Sequence, residues 1–279
     1  MVELQRTGVV WVGAVASLVA LGCSGGAQGE IVGAPMNLSV GPSASDDFAS
    51  IGEAIAAATP DSTIVVATGT YTEALFVDKA LTIVGSGVGT VVEFPANGPA
   101  DSAVIEIRDA RGVRIENLLV RASRLDVDGI RVRDSTDVVL DSVVAEGNSQ
   151  DGVDVKRSAG VTLHMARFTD NGADGLQIDE SSSDVTVTDC RAESNQVDGF
   201  KIRASSNVVL EGNTSTLNLD DGILVRDSSA VRLTGNTVTN NGDWGITVQN
   251  SPDTALENNA ASGNGDGQIR CEPTACAGP

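Results

Sequence analysis

The chain is poor in aromatic residues, histidine and cations. Among its 279 residues there are five Phe, two Trp, one Tyr and one His, and 18 Lys and Arg stand against 38 Asp and Glu. A formal net charge of -20 argues against binding of nucleic acid or of an anionic membrane surface through a general positive field. The shortage of Trp and Tyr also leaves little stacking platform for sugars.

Long apolar runs are missing too, apart from one near the start. The run from Gly8 to Leu21 is short for a membrane span and suits the hydrophobic part of a signal peptide. The residues that end at Cys23 resemble a bacterial lipobox, in which cleavage leaves a lipid-modified cysteine. The resemblance implies a signal peptide over 1–22, lipidation at Cys23 and a tether over 23–45. The open alternative is an ordinary signal peptide that is cleaved a few residues later.

This leader places the protein in the bacterial cell envelope, as an outer-membrane lipoprotein or as a secreted or periplasmic protein. The membrane is then contacted only through the lipid anchor. The cysteines agree with export to an oxidising compartment, where Cys271 and Cys276, which flank a proline near the C-terminus, can form a disulfide. We expect them to close a small disulfide loop in the tail 271–279. Cys190 falls at an inward strand position and is expected in the core.

Glycine is abundant, with 31 residues, and it marks a repeat. The dipeptide Asp-Gly recurs about every 23 residues, and an Asn and two pairs of alternating apolar residues recur in step with it. Its copies begin at Asp128, Asp151, Asp174, Asp198, Asp221 and Asp266. Three short strands per repeat leave room only for tight turns, so successive coils must stack in parallel. Asn213, Asn236 and Asn259 fall at the turn between the second and third strands, where we expect stacked amides to bond to one another. Residues 46–270 are therefore predicted to form an all-β fold, a right-handed parallel β-helix.

Residues 47–87 support this prediction, because "DFASIGEAIAAATPDSTIVVATGTYTEALFVDKALTIVGSG" resembles the opening module of the pectate-lyase-like β-helix superfamily, which includes NosD-like secreted proteins. Ile51, Ile55 and Ala58 share one face of a short helix expected to begin at Asp46 or Asp47 and to cap the open end of the solenoid. The resemblance is specific for the fold. It is not specific for activity, because the superfamily holds lyases, hydrolases, epimerases and non-enzymes.

The resemblance also implies where a site would lie, because catalytic groups in this superfamily usually stand on the first strand of each coil. Outward residues of that strand form one patch here, and its catalytic candidates are Asp154, Lys156, Asp179, Lys201 and Arg203. The alternative is structural: Asp179 lies between Lys156 and Arg203, as charge pairing on a solvated face requires.

Calcium is a possible ligand of the repeated aspartates, although Asp-Gly is also common turn chemistry. No other cofactor is expected. Two functions remain open. The first is a non-catalytic surface that binds a polysaccharide, another cell-surface glycan or a protein. The low aromatic content and the short turns favour this function. The second is a polysaccharide lyase, epimerase or hydrolase.

Overall fold

The computed structural model describes residues 33–99 and 101–272, and within them the chain forms three parallel sheets and one short helix. Sheets are named here by the position of their strands in each coil, and strands are numbered in chain order. The helix is α1, Ile51–Ala57.

The second-strand sheet contains β1 Asn37–Val40, β2 Ser62–Val66, β5 Leu81–Val84, β8 Arg114–Glu116, β11 Thr136–Asp141, β14 Ala159–His164, β17 Ser183–Thr188, β20 Ser206–Glu211, β23 Ser229–Thr234 and β26 Ala255–Glu257. The third-strand sheet contains β3 Gly69–Thr72, β6 Thr90–Glu93, β9 Leu119–Arg121, β12 Val144–Glu146, β15 Arg167–Thr169, β18 Arg191–Glu193, β21 Thr214–Thr216, β24 Thr237–Thr239 and β27 Ala260–Ser262. The first-strand sheet contains β4 Leu75–Val77, β7 Ser102–Arg108, β10 Val127–Arg133, β13 Val153–Lys156, β16 Leu176–Asp179, β19 Phe200–Arg203, β22 Ile223–Arg226, β25 Trp244–Gln249 and β28 Gly267–Glu272.

From β2 onward each strand pairs with the strand three positions away in the chain, and β1 pairs with β2. The β-helix predicted from the repeat is therefore confirmed. The sheets hold 10, 9 and 9 strands. Alternate residues of every strand point inward, and columns such as Ile130, Val153 and Leu176 stack in register. Phe168 and Phe200 meet edge to face in this core, with ring centroids 6.1 Å apart.

Two columns of asparagine satisfy backbone groups at the bends. Asn213, Asn236 and Asn259 form the ladder that the sequence predicts between the second and third strands, with Nδ2 to Oδ1 distances of 3.1 and 2.9 Å. A longer ladder lies after the third strand and runs through Asn148, Asn171, Asn195, Asn218, Asn241 and Asn264. In both ladders, Oδ1 also accepts the backbone N–H of the preceding rung. Buried amides are therefore paired along the axis.

Serine side chains satisfy backbone N–H groups at the bend between the first and second strands. The hydroxyl oxygens of Ser158 and Ser228 accept the backbone N–H groups of Ser135 and Ser205, one coil away. This third ladder is not evident from the sequence, because a serine in a turn is too common to mark one.

The Asp-Gly glycines have a different role from the expected turn chemistry. None of those in the described residues has a positive φ. A Cβ at Gly175 would instead stand 2.6 Å from the carbonyl oxygen of Gly199 and 2.8 Å from Nδ2 of Asn195. Glycine is thus required by the close approach of the next coil and its asparagine ladder.

Helix α1 begins later than predicted. Its N-cap is Ser50, and the Glu73 carboxylate accepts the N–H groups of Ile51 and Gly52 at 2.9 and 2.8 Å. Asp46 and Asp47 bind Ser43 and Ser39 instead, both at 2.8 Å, because the preceding loop folds back on them. The predicted apolar face is present: Ile51 and Ile55 are buried, and the helix contacts β1, β2 and β4. The described residues contain no helix with the length and hydropathy needed to cross a membrane.

Ordered strand extends beyond both predicted boundaries of the β-helix. Residues 37–40, assigned to the tether, form β1 and pair with β2, and Cys271, assigned to the tail, lies in β28. The signal peptide over 1–22, Cys23 and Cys276 lie outside the described residues, so lipidation and the disulfide stay predictions. Cys190 is buried, as expected.

We expect Asn195→Ala to lower the free energy of unfolding by about 2 kcal/mol, because it leaves the backbone N–H of Asn171 and one of the two N–H groups of its Nδ2 without an acceptor in the core. Urea unfolding measures the change. Asn37→Ala is the matched control, because Asn37 is exposed and its side chain makes no hydrogen bond among the described residues. Equal stability of the two variants would contradict a structural role for the ladder.

Candidate functional site

Two columns of side chains project from the first-strand sheet. The strand register aligns the first column, which runs through Arg131, Asp154, Gln177, Lys201, Leu224 and Thr247. The second column contains Arg133, Lys156 and Asp179, and then Arg203, Arg226 and Gln249. Neighbouring members are about 4.8 Å apart, since each coil adds one strand spacing.

A third column, made of the Asp-Gly aspartates, lies beside the first. Its members are Asp128, Asp151, Asp174, Asp198 and Asp221. In each, Oδ1 accepts a backbone N–H from the next coil at 2.9 to 3.1 Å. One oxygen of every carboxylate therefore has a structural role, as in the Asn and Ser ladders.

The aspartate column and the first outward column enclose a groove of about 550 Å³. Its lining includes Arg131, Asp154, Lys156, Gln177 and Lys201. The groove continues along the sheet into a second depression of about 340 Å³, and Lys201 and Val197 line both. The combined groove thus follows the axis of the solenoid across several coils.

Each cation of the first depression is held by a buried aspartate. Arg131 Nη2 lies 2.7 Å from Asp128 Oδ2, and Lys201 Nζ lies 2.8 Å from Asp174 Oδ2. Lys156 Nζ lies 2.7 Å from Oδ2 of Asp154, whose side chain is 1% exposed. The contact between Lys156 and Asp154 is an ion pair without a well-aligned hydrogen bond, because the angles at Oδ2 of Asp154 are not those of a hydrogen bond.

Stacking carboxylates at one-coil intervals changes their acidity. Burial, together with the charges of Asp174 and Asp128, raises the pKa of Asp151 well above its ordinary value. Burial and the Asp174 charge raise the pKa of Asp198 from 3.8 to about 8, against the opposing effect of Lys201. Asp198 is therefore mostly protonated at neutral pH. The groove combines a neutral carboxyl with ionised groups, which is an arrangement found at catalytic and binding sites.

The predicted site residues divide into two groups. Asp154, Lys156 and Lys201 line the groove. Asp179 and Arg203 lie outside it and pair with each other, with Nε of Arg203 donating to Oδ2 of Asp179 at 3.0 Å. The expected contact between Lys156 and Asp179 is not formed, because the lysine bends back to Asp154 on its own strand.

Sequence reasoning missed Arg131 and the aspartate column as parts of one site. Both columns are visible in the sequence, but their proximity is not. Arg131 follows Asp128 by three residues and binds it, whereas Lys201 follows Asp198 by three residues and binds Asp174 in the coil before. An Asp that recurs three residues before an outward Arg or Lys is the sequence signal that could have pointed to this site.

The second depression is acidic and holds the only Trp of the described residues. Asp220, Asp221, Asp243 and Asp266 line it together with Trp244. The guanidinium of Arg270 lies over the Trp244 ring, 5.8 Å from its centroid. Burial raises the pKa of Asp220 and of Asp221.

No group of three or more His, Cys, Asp or Glu within 33–99 and 101–272 is arranged to hold a metal ion. Five groove aspartates already use Oδ1 on a backbone N–H, and two of them, Asp128 and Asp174, use Oδ2 on a cation. Calcium binding stays a prediction that the geometry does not test.

The sequence profile of the family described as right handed beta helix region matches residues 103–272. The protein therefore belongs to the right-handed β-helix family, and the predicted handedness is confirmed. No curated protein sequence matches the chain.

Solved structures with the same fold include proteins that act on polysaccharides. Pectate lyase Pel9A is 16% identical, with a TM-score of 0.61, and the match covers 84% of this chain and 80% of that one. The periplasmic alginate epimerase AlgG is 17% identical, with a TM-score of 0.57 and coverage of 78% and 60%. Tailspike protein 2 of Escherichia coli O157:H7 bacteriophage CAB120 is 14% identical, with a TM-score of 0.58 and coverage of 76% and 38%. This chain thus spans about 60% of the epimerase and less of the tailspike. At these identities the likeness establishes the fold.

We expect Asp198→Asn to weaken the pH dependence of stability. The pKa of Asp198 is raised to about 8, so the folded state binds a proton that the unfolded chain has released. Its stabilising contribution is complete below pH 3.8 and is lost as pH rises through about 8. Asparagine keeps the acceptor for the Asp221 N–H and stays neutral, so the variant should gain about 1 kcal/mol or more over the parent at alkaline pH.

Urea unfolding at a series of pH values measures this difference. Asp253→Asn is the control, because Asp253 is exposed and makes no hydrogen bond or ion pair among the described residues. Parallel stability curves for the parent and Asp198→Asn would contradict the assignment.

Proposed function

We propose that the protein binds a polysaccharide in the groove of the first-strand sheet, without chemical change to the ligand. One observation carries the proposal: the groove runs along the solenoid axis and presents polar side chains from successive coils. An extended chain molecule can contact several coils along such a surface, whereas a compact ligand would use one part of it.

The groove is also preorganised. Its side chains stand on strands or on the short bends before them, and Arg131, Lys156 and Lys201 are held by buried aspartates. Binding would then cost little ordering of the protein. The polysaccharide-acting proteins that share the fold support a carbohydrate ligand by analogy.

We further propose that the protein works outside the cytoplasm, in the cell envelope or secreted, anchored by a lipid on Cys23. The sequence pattern that ends at Cys23 supports the anchor. The periplasmic epimerase and the phage tailspike among the structural neighbours are consistent with an exported protein.

A second candidate function is a polysaccharide lyase, hydrolase or epimerase. The raised pKa of Asp198 and of Asp151 favours it, because a carboxyl that is protonated at neutral pH is suited to general acid catalysis. Asp154, Lys156 and Lys201 would be its other groups. Burial and the stacking of aspartates at one-coil intervals explain the same raised pKa values without catalysis, and for that reason binding is the primary proposal.

We expect Ala173→Trp to weaken polysaccharide binding at least tenfold, because Ala173 lines the groove and an indole there would fill it. Isothermal titration with oligosaccharides from a glycan array measures the affinity. Ala260→Trp is the control, since Ala260 is exposed on β27 in the third-strand sheet. Unchanged affinity of Ala173→Trp for the oligosaccharide, at equal thermal stability, would show that the ligand does not bind in the groove.

The same ligands, incubated with the protein, distinguish the two functions. Under the binding proposal, unsaturated products, new reducing ends and epimer ratios stay at the level of the blank. Turnover that is lost in Asp198→Asn and retained in Asp253→Asn would establish the enzyme instead.

A further inference from the structure

Asp198 has a carboxylate oxygen that the described part of the protein does not use. Its Oδ1 accepts the N–H of Asp221 at 3.0 Å, like the other members of the aspartate column. Its Oδ2 accepts no hydrogen bond and forms no ion pair among the described residues, yet it is not closed to solvent. Three other members of the column have a partner at Oδ2, namely Arg131 for Asp128, Gln177 for Asp151 and Lys201 for Asp174.

This unused oxygen belongs to the second depression of the groove. Asp198 lines that depression, although only 3% of the residue is exposed. A carboxyl group that is almost fully buried and lacks a partner at one oxygen is costly unless another molecule completes its hydrogen bonding. Asp198 is therefore placed to bind a ligand in the groove.

The charges around Asp198 decide which hydrogen bond it can make. Asp174 lies one coil before it and Asp221 one coil after it, and Lys201 on its own strand pairs with Asp174 at 2.8 Å. Burial raises the pKa of Asp198 to about 8 together with the charges of Asp174 and Asp221, against the opposing effects of Lys201 and of the Asp221 N–H. A neutral carboxyl whose Oδ1 accepts an N–H carries its proton on Oδ2, and that O–H is a donor.

We propose that Asp198 binds the ligand of the groove, by donating a hydrogen bond from its protonated Oδ2 to a hydroxyl, ring or glycosidic oxygen of an uncharged polysaccharide. This inference rests on the proposed glycan-binding function and adds one binding residue and the ligand class. A polyuronate would be repelled, because four lining carboxylates of the second depression form no ion pair among the described residues. They are Asp220, Asp221, Asp243 and Asp266.

Binding then depends on the proton of Asp198. As pH rises above about 8, the carboxyl loses its donor and places a negative charge against the acceptor oxygen of the sugar. The affinity for a neutral glycan should fall there by up to about tenfold per pH unit. In Asp198→Asn, Oδ1 still accepts the Asp221 N–H and Nδ2 takes the position of the donor at every pH. The affinity of this variant should therefore not depend on pH.

The test is isothermal titration with cellohexaose, mannohexaose and a galacturonate hexamer, at a series of pH values from about 6 to about 10. We expect a neutral hexamer to bind more tightly than the galacturonate hexamer, and its affinity for the parent to fall at least tenfold across the series. Asp198→Asn should change less than twofold. Asp253→Asn, outside the groove, should follow the parent. Circular dichroism at each pH establishes that every variant stays folded.

Each other outcome has a distinct meaning. An affinity of the parent that does not depend on pH, or an equal alkaline loss in Asp198→Asn, would overturn the role of Asp198 and leave glycan binding in place. Equal or tighter binding of the galacturonate hexamer would overturn the uncharged ligand class. If no hexamer binds, the proposed function fails and this inference with it.

Discussion

Polar side chains that accept a backbone N–H from the neighbouring coil are the interaction on which the rest of this structure depends. At each bend the backbone turns away from its sheet and would leave buried donors unpaired. Serine and aspartate each occupy one bend column, asparagine occupies two, and all of them supply the missing acceptor. Because each ladder residue must meet its counterpart in the next coil, the coils have nearly constant length. Glycine is needed where adjacent coils approach each other most closely.

The candidate site is a consequence of the same interaction. An aspartate column bonded through Oδ1 places like charges one coil apart, where burial and mutual repulsion disfavour ionisation. Arg131 and Lys201 relieve part of that repulsion and at the same time line the groove. Stability and site chemistry are thus coupled, so a substitution of Asp174 would alter both.

Rigidity distinguishes this groove from a site built on long loops. The side chains that line it stand on strands or on short bends within the ladders. Among the described residues, all lining cations except Arg226 are paired with carboxylates before any ligand arrives. Such a surface favours repeated, moderate contacts with an extended ligand. It also limits how far the groove could close around a substrate, which is consistent with a binding role.

The sequence by itself determined the coil period, the parallel β-helix, the inward and outward columns and one asparagine ladder, because these depend only on which residues recur and at what interval. The tertiary structure decided which charges meet. Lys156 reaches Asp154 on its own strand, Asp179 is left to Arg203, and Lys201 crosses to Asp174 one coil away. Long side chains can reach several carboxylates at similar distances. Which carboxylate they pair with depends on burial and on which oxygens already accept a backbone N–H. The spacing of residues in the sequence does not contain that information.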